Sequence, residues 1–200
     1  MTISAQQVKQ LRDKTGAGMM ECKKALVDVD GDVDAAIKVL RERGLAAASK
    51  RASKDTREGI IGEYVHAGGK LGVIVEVNCE TDFVARTPEF QGLVRDLAMQ
   101  VAASNPLFVS RDEVPTDMLE RESEIFRNQA LAEGKPEHIA DKIVEGRLKK
   151  YYSEVCLLEQ PFIKDSDMTI EEFLKSKIAT IKENIAVRRF VRFEVGEEKD

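Results

Sequence analysis

Tryptophan is absent from this sequence, histidine occurs twice and cysteine three times. Each shortage closes off a class of chemistry. Cys22, Cys79 and Cys156 are odd in number, far apart and without a CxxC pair, which argues against a disulfide framework and a zinc site. Each is expected to be a reduced, buried or half-buried apolar residue. His66 and His138 fall on a hairpin tip and a charged helix, with no serine or cysteine beside them in sequence. The stretch GGKL at 68–71 lacks the upstream glycine spacing and the Ser/Thr of a phosphate-binding loop, and GAGMM lacks the third glycine of a dinucleotide fingerprint. Asp30 and Asp32 flank a glycine, but no calcium-loop spacing follows. The residues therefore nominate no catalytic group, cofactor or metal ligand, and the chain is not expected to be an enzyme.

Long apolar runs are missing too. Nothing approaches the roughly 18–20 uninterrupted apolar residues that would cross a bilayer. The opening MTISAQQVKQLRDKTG reads as an amphipathic helix, not a secretory signal, so no membrane association and a cytoplasmic location are expected. What is present is balanced: 42% hydrophobic and 34% charged residues in 200, with a net charge of −5. That suits one compact domain plus a small module, or two small domains. The negative total repels phosphate backbones, so a nucleic-acid binder would need a local basic patch.

Periodicity divides the chain. Residues 1–53 read as a small bundle of helices. Ser4 can cap the first, with Val8 and Leu11 on one face and Gly16 closing it. Met19, Met20, Ala25 and Leu26 lie on the second, which stops at Asp30-Gly31. Asp32 can cap the third, whose Ala36, Val39 and Leu40 repeat at helical spacing before Gly44. A bundle this short is marginal alone and is expected to dock on something. The basic stretch AAASKRASKDTRE then reads as a helical extension running into a linker, either a solvated connector or a patch facing RNA or protein.

Residues 54–200 form the second expected domain. A hairpin runs from Ile60, Ile61, Tyr64 and Val65 through the turn AGGK to Leu71, Val73, Val75 and Val77, which alternate strictly. A helix from about Thr87 to Ala103 carries the stripe Phe90, Leu93, Val94, Leu97, Ala98 and Val101, suited to covering a sheet. Residues 110–152 are charged and helical in pattern, with few apolar positions, as in a protruding helical pair. LLEQPF reads as a short extended stretch, and Thr169 with Glu172 as a capping box for the last helix. A closing strand would put Val187, Arg189, Val191 and Phe193 on one face. The fold class is α+β: a helical module, then helices packed on a small antiparallel sheet, with a charged helical protrusion at about 110–152.

One segment stands apart. In CETDFVARTPEF, residues 79–90, Phe83 and Val84 occupy the head of a helix where turn residues are usual. Either Thr81 or Asp82 caps the helix while Phe83 tucks beneath it, or the turn is a rigid protrusion presenting an aromatic wedge to a partner.

NCETDFVAR at 78–86 resembles the signature of the translation elongation factor Ts family, the nucleotide exchange factors of elongation factor Tu. TGAGMMECKKAL at 15–26, EGRLKKYYSEVCLLEQPF at 145–162 and ENIAVRRFVRFEVG at 183–196 are similar to its other blocks, in order and across nearly the whole chain. The resemblance implies a ubiquitin-associated-like three-helix module at 1–53 and a dimerisation-type core at 54–200. It implies that the chain binds elongation factor Tu·GDP, displaces Mg²⁺ and promotes GDP release so that GTP can bind. By matching position, Thr81, Asp82, Phe83 and Val84 would dislodge the partner's Mg²⁺, with Phe83 the intruding ring and Asp82 the neighbouring acid. Met19 and Met20 would grip the partner's G domain, although methionines at helical spacing also suit a core. Longer members have two related core subdomains and a coiled-coil insertion, and this chain has one core unit. Short members are therefore expected to pair as homodimers in a two-plus-two complex, the C-terminal strand edge being a candidate seam.

Two other readings compete on residues alone. A general adaptor would use the helical bundle to hold a peptide or ubiquitin-like fold. An RNA binder would use the linker with Arg188, Arg189 and Arg192. Against the latter stand the acidic total, the missing tryptophan, and three tyrosines and eight phenylalanines mostly at core spacing; no direct nucleic-acid contact is expected.

Overall fold

A computed structural model describes residues 3–197; the outermost ends of the two expected domains, 1–2 and 198–200, lie outside the described residues. Helices α1 (Ala5–Thr15), α2 (Met19–Asp28) and α3 (Val33–Arg51) come first, followed by strands β1 (Glu58–Val65) and β2 (Leu71–Cys79). Next are the short α4 (Asp82–Ala85), α5 (Pro88–Ser104), α6 (Thr116–Ala132) and α7 (Glu137–Val155). Strands β3 (Pro161–Phe162) and β4 (Asp165–Thr169), α8 (Ile170–Ile181) and β5 (Ile185–Glu194) complete the order. The fold is α+β, as the periodicities predict.

Strands β1, β2 and β5 form one sheet with β2 in the centre. The His66 N–H donates to the Leu71 carbonyl and the Val195 N–H to the Lys70 carbonyl, each at 2.8 Å. Both bonds join the end of one strand to the start of β2, so both pairings are antiparallel. Gly59 is fixed by this sheet: at φ 151° a Cβ there would lie 2.2 Å from the Val77 carbonyl oxygen.

The chain gathers into two compact units. The first takes residues up to Ile61, Glu76–Val94 and Glu172–Ala186. Its helical module begins with a capping box, the Ser4 hydroxyl accepting from the Gln7 N–H (3.2 Å) and the Gln7 side chain accepting from the Ser4 N–H (3.0 Å). Gly16, left-handed at φ 66°, ends α1, and the Asp32 carboxylate caps α3 through the Asp34 and Ala35 N–H groups. Val8, Leu11, Cys22, Ala25, Leu26 and Ala36 make the module's own core. Instead of pausing at Gly44, α3 runs through it to Arg51. Close packing explains that glycine, because a Cβ there would stand 3.2 Å from the Ala179 Cβ on α8. The connector is therefore helical for half its length. The rest of this unit's interior holds Val77, Cys79, Ala85, Phe90, Leu93, Val94, Phe173, Leu174 and Ile178.

The second unit takes Gly62–Val75, Arg95–Glu171 and the chain from Val187. Val73, Val75, Leu97, Ala98 and Val101 are buried in it. Helices α6 and α7 form the expected hairpin, with Ala130 and Ala140 fully buried where the two backbones close. Ion pairs and hydrogen bonds cross its surface: Arg127 pairs with Glu137 and Asp141, and Arg147 reaches Gln129 and Glu133. LLEQPF is not extended throughout. Leu157–Glu159 is a 3₁₀ turn before β3, because the Gln160 side chain turns inward to the Ser104 and Glu154 carbonyls (3.2 and 2.8 Å) and to the buried Gln100 (3.2 Å).

The closing strand also departs from the pattern. Ile185 and Val187 point inward, but Arg188 and Arg189 are exposed in succession, and beyond them Phe190 and Arg192 are the better covered residues. Val191 and Phe193 are exposed, so full cover over this strand ends after Val187.

Candidate functional site

The corner between β2 and α5 is built from its backbone outward. Thr81, in extended conformation, caps α4, its hydroxyl accepting from the Val84 N–H at 3.4 Å. The helix lasts four residues because the Thr87 hydroxyl, donating to the Val84 carbonyl (2.8 Å) and accepting from the Phe90 N–H (3.2 Å), opens α5 immediately after it. Ala85 and Cys79 are buried beneath the turn, the Cys79 thiol donating to the Thr81 carbonyl at 3.2 Å. Burial pushes that thiol's pKa up, and the nearby Glu183 carboxylate adds to the shift.

Capping by Thr81 is thus realised, but Phe83 does not tuck beneath the helix. Its ring is 85% exposed, more than any other large apolar side chain among the described residues. Asp82, one position before it, forms an i,i+4 pair with Arg86 (Nε–Oδ1 3.0 Å, NH2–Oδ2 2.8 Å) on the open surface. Val84 is half-buried at the base of the turn.

Two carboxylates that sequence reasoning does not single out hold this corner. Glu183 accepts from the Thr81 hydroxyl at 2.6 Å and from the Thr81 N–H at 3.0 Å. Glu80 accepts from the Asn184 N–H at 2.6 Å and pairs with Arg51 at 3.4 Å, while the Asn184 side chain donates to the carbonyls of Lys54 (2.8 Å) and Ala52 (3.4 Å). These partners lie more than a hundred residues apart along the chain in four cases, so no local pattern could reveal them.

Met19 and Met20 stand on a different element, the first turn of α2, and are 43% and 76% exposed. A core role is thereby excluded for both; the inward face of α2 belongs to Cys22, Ala25 and Leu26. Of the basic connector, Arg51 is engaged with Glu80 and Arg57 with Asp55. Arg192 is largely covered, paired with Glu194 and Glu197. His66 hydrogen-bonds Tyr64 at 2.9 Å. Among the described residues no group of three or more His, Cys, Asp and Glu side chains is placed to hold a metal ion, and no helix is long and apolar enough to cross a membrane.

The site is thus a solvent-facing ring on a turn fastened from behind, in an α+β chain with a three-helix module. The family model described as elongation factor TS matches residues 3–197. Elongation factor Ts of Heliobacterium modesticaldum is 60% identical over 195 residues, covering 98% of this chain and 91% of that protein. That of Desulforamulus reducens is also 60% identical, covering 98% and 90%. The Caldanaerobacter subterraneus protein is 56% identical and covered over 98% of both. The chain belongs to the elongation factor Ts family, whose role is nucleotide exchange in translation elongation.

Proposed function

We propose that the chain binds elongation factor Tu·GDP and speeds GDP release by inserting Phe83 beside the partner's Mg²⁺ site. The carrying observation is the 85% exposure of that ring on a turn whose backbone is held by Thr81 and Ala85. A nucleotide leaves a GTPase slowly because phosphate oxygens, metal and backbone donors act together. An exchange factor binds the emptied partner more tightly, and linkage then weakens the nucleotide by the same factor. Sealing an exposed phenylalanine ring into a pocket contributes about 1.5–3 kcal/mol, comparable with a coupling of about 1–3 kcal/mol. Thr81 to Val84 form the displacing element, with Asp82 set to approach the metal's surroundings. The ion belongs to the partner, and no cofactor of this chain is invoked.

In the same reading residues 1–53 are a separate gripping domain and 54–200 the core domain. Met19 and Met20 supply an apolar grip on the partner's G domain, supported by their exposure at the head of α2. The chain makes and breaks no covalent bond and works in the cytoplasm beside the ribosome's other factors. It pairs with a second copy, giving a two-plus-two complex. Support for pairing comes from the second unit. Antiparallel register counted from the two turn-side bonds sets Val65 opposite Gly72, Gly72 opposite Phe193 and Ile74 opposite Val191. These apolar side chains are 41–64% exposed on one sheet face, a surface better suited to a seam than the strand edge.

The test is stopped-flow release of a fluorescent GDP from elongation factor Tu. Phe83→Ala is expected to slow stimulated release tenfold or more, of the order of 1.4 kcal/mol, with the melting temperature unchanged. An unchanged release rate removes the wedge.

A further inference from the structure

The exposed ring raises a question of aim. With 85% of its surface in solvent, Phe83 has little of its own molecule to lean on, so its direction is set by the backbone of Thr81–Val84. That backbone is a single turn of helix, too short to hold itself in water. Its fixing must come from outside the turn.

The bonds from outside converge on Thr81. Both Glu183 carboxylate oxygens are used there, one on the hydroxyl (2.6 Å) and one on the N–H (3.0 Å). The hydroxyl that donates to Glu183 also caps the Val84 N–H, so the carboxylate orients the cap as well as anchoring the chain. Charge-assisted bonds of this kind are roughly twice as strong as neutral ones. Glu183 is itself aimed by an unusual backbone. Lys182, immediately before it, takes the left-handed conformation at φ 66° while its N–H still bonds the Ile178 carbonyl at 2.8 Å. A left-handed residue with this bond closes the helix, and the chain leaves α8 there with Glu183 as the next residue. Next in sequence, Asn184 binds Glu80 and the connector carbonyls of Lys54 and Ala52.

We infer that Glu183 is a positioning residue for nucleotide release, holding Thr81 so that Phe83 projects in one direction. The inference rests on the reading of Phe83 as the inserted side chain. A fastening of merely structural purpose would act on stability alone; this one acts two residues from the ring, on the residue whose hydroxyl caps the turn. Loosening it lets the ring sample directions that miss the pocket, so release slows while the grip of the rest of the surface persists.

The experiment is a mutant cycle on the full chain with elongation factor Tu and fluorescent GDP. Glu183→Ala removes both acceptors, and Glu183→Gln keeps the shape but can accept only one of the two bonds. Expected are an approximately tenfold slower maximal release with Glu183→Ala and a smaller loss with Glu183→Gln. The half-saturating concentration should stay within about twofold, and Glu183→Gln should melt as the parent does. In a Phe83→Ala background either substitution should add nothing, because there is no ring left to aim. If Phe83→Ala slows release but Glu183→Gln and Glu183→Ala do not, or if their effects multiply, the positioning role is wrong and the wedge stands. If Phe83→Ala itself changes nothing, the wedge reading fails and takes this inference with it.

Discussion

Single side chains at this surface divide sharply between those spent on the fold and those left over. Cys22, Cys79 and Cys156 are buried, and burial pushes the Cys156 thiol up to about 11. Near neutral pH such a thiol is protonated and inert. Met19, Met20 and Phe83 are the opposite: large, apolar and open to solvent. Of the cations in the connector, Arg51 is spent on Glu80, which leaves Lys50 and Lys54 to represent an electrostatic patch. Apolar contact should therefore outweigh charge in the grip on the partner. Met20→Ala is expected to weaken binding by roughly five- to twentyfold, about 1–2 kcal/mol of lost burial, whereas Lys50→Glu with Lys54→Glu should shift it less than threefold at physiological salt. A binding titration checks the order, and the reverse order would favour the basic patch. The exposure of these residues was only half legible in advance. TDFV at the head of a helix announced something unusual, but whether Phe83 staples or projects depends on what lies beneath it. Ala85 and Cys79 fill that space, a fact of packing and not of spacing.

At the level of elements, caps and stripes were readable wherever a helix or strand answers to its own sequence. Ser4 with Gln7, Asp32, and the α5 stripe from Phe90 to Val101 all behave as local chemistry dictates. Departures occur where a distant element decides. Gly44 does not stop α3 because Ala179 on α8 needs its missing side chain. LLEQ bends into a 3₁₀ turn because Gln160 is drawn to Gln100. In the α6–α7 hairpin few apolar positions suggest a protruding pair, and within it Ala130 and Ala140 have no exposed surface. A small buried side chain lets neighbouring backbones approach closely, and a larger one must displace what covers it. Ala140→Leu is therefore expected to cost about 1–3 kcal/mol through overpacking, seen as a lower melting temperature. Stimulated GDP release measured well below that temperature should be unchanged, because the turn carrying Phe83 belongs to the other compact unit. A release defect equal to that of Phe83→Ala would mean that the hairpin itself takes part in exchange.

For the molecule as a whole, the sheet carries the remaining open question of surface. One of its faces meets buried valines, and the other offers Val65, Ile74, Val191 and Phe193 to solvent. Scattered apolar side chains on a surface are ordinary; four on neighbouring positions of three strands form a patch of the kind that marks an interface. A symmetric pairing is the economical way to cover it, because in a two-fold interface the same patch serves both partners. On the last strand Arg192 is paired with Glu194 and Glu197, while Val191 and Phe193 stand on the open side. Substituting Ile74→Glu places a charge in the middle of the proposed seam, where its burial without a partner would cost several kcal/mol. The chain itself should fold normally, since Ile74 is 46% exposed before any pairing. Light scattering is expected to give twice the chain mass for the parent and the single mass for Ile74→Glu, with equal helical content by circular dichroism. A parent already monomeric at micromolar concentration would assign the open face to some other partner, and retention of the double mass by Ile74→Glu would move the seam to another surface.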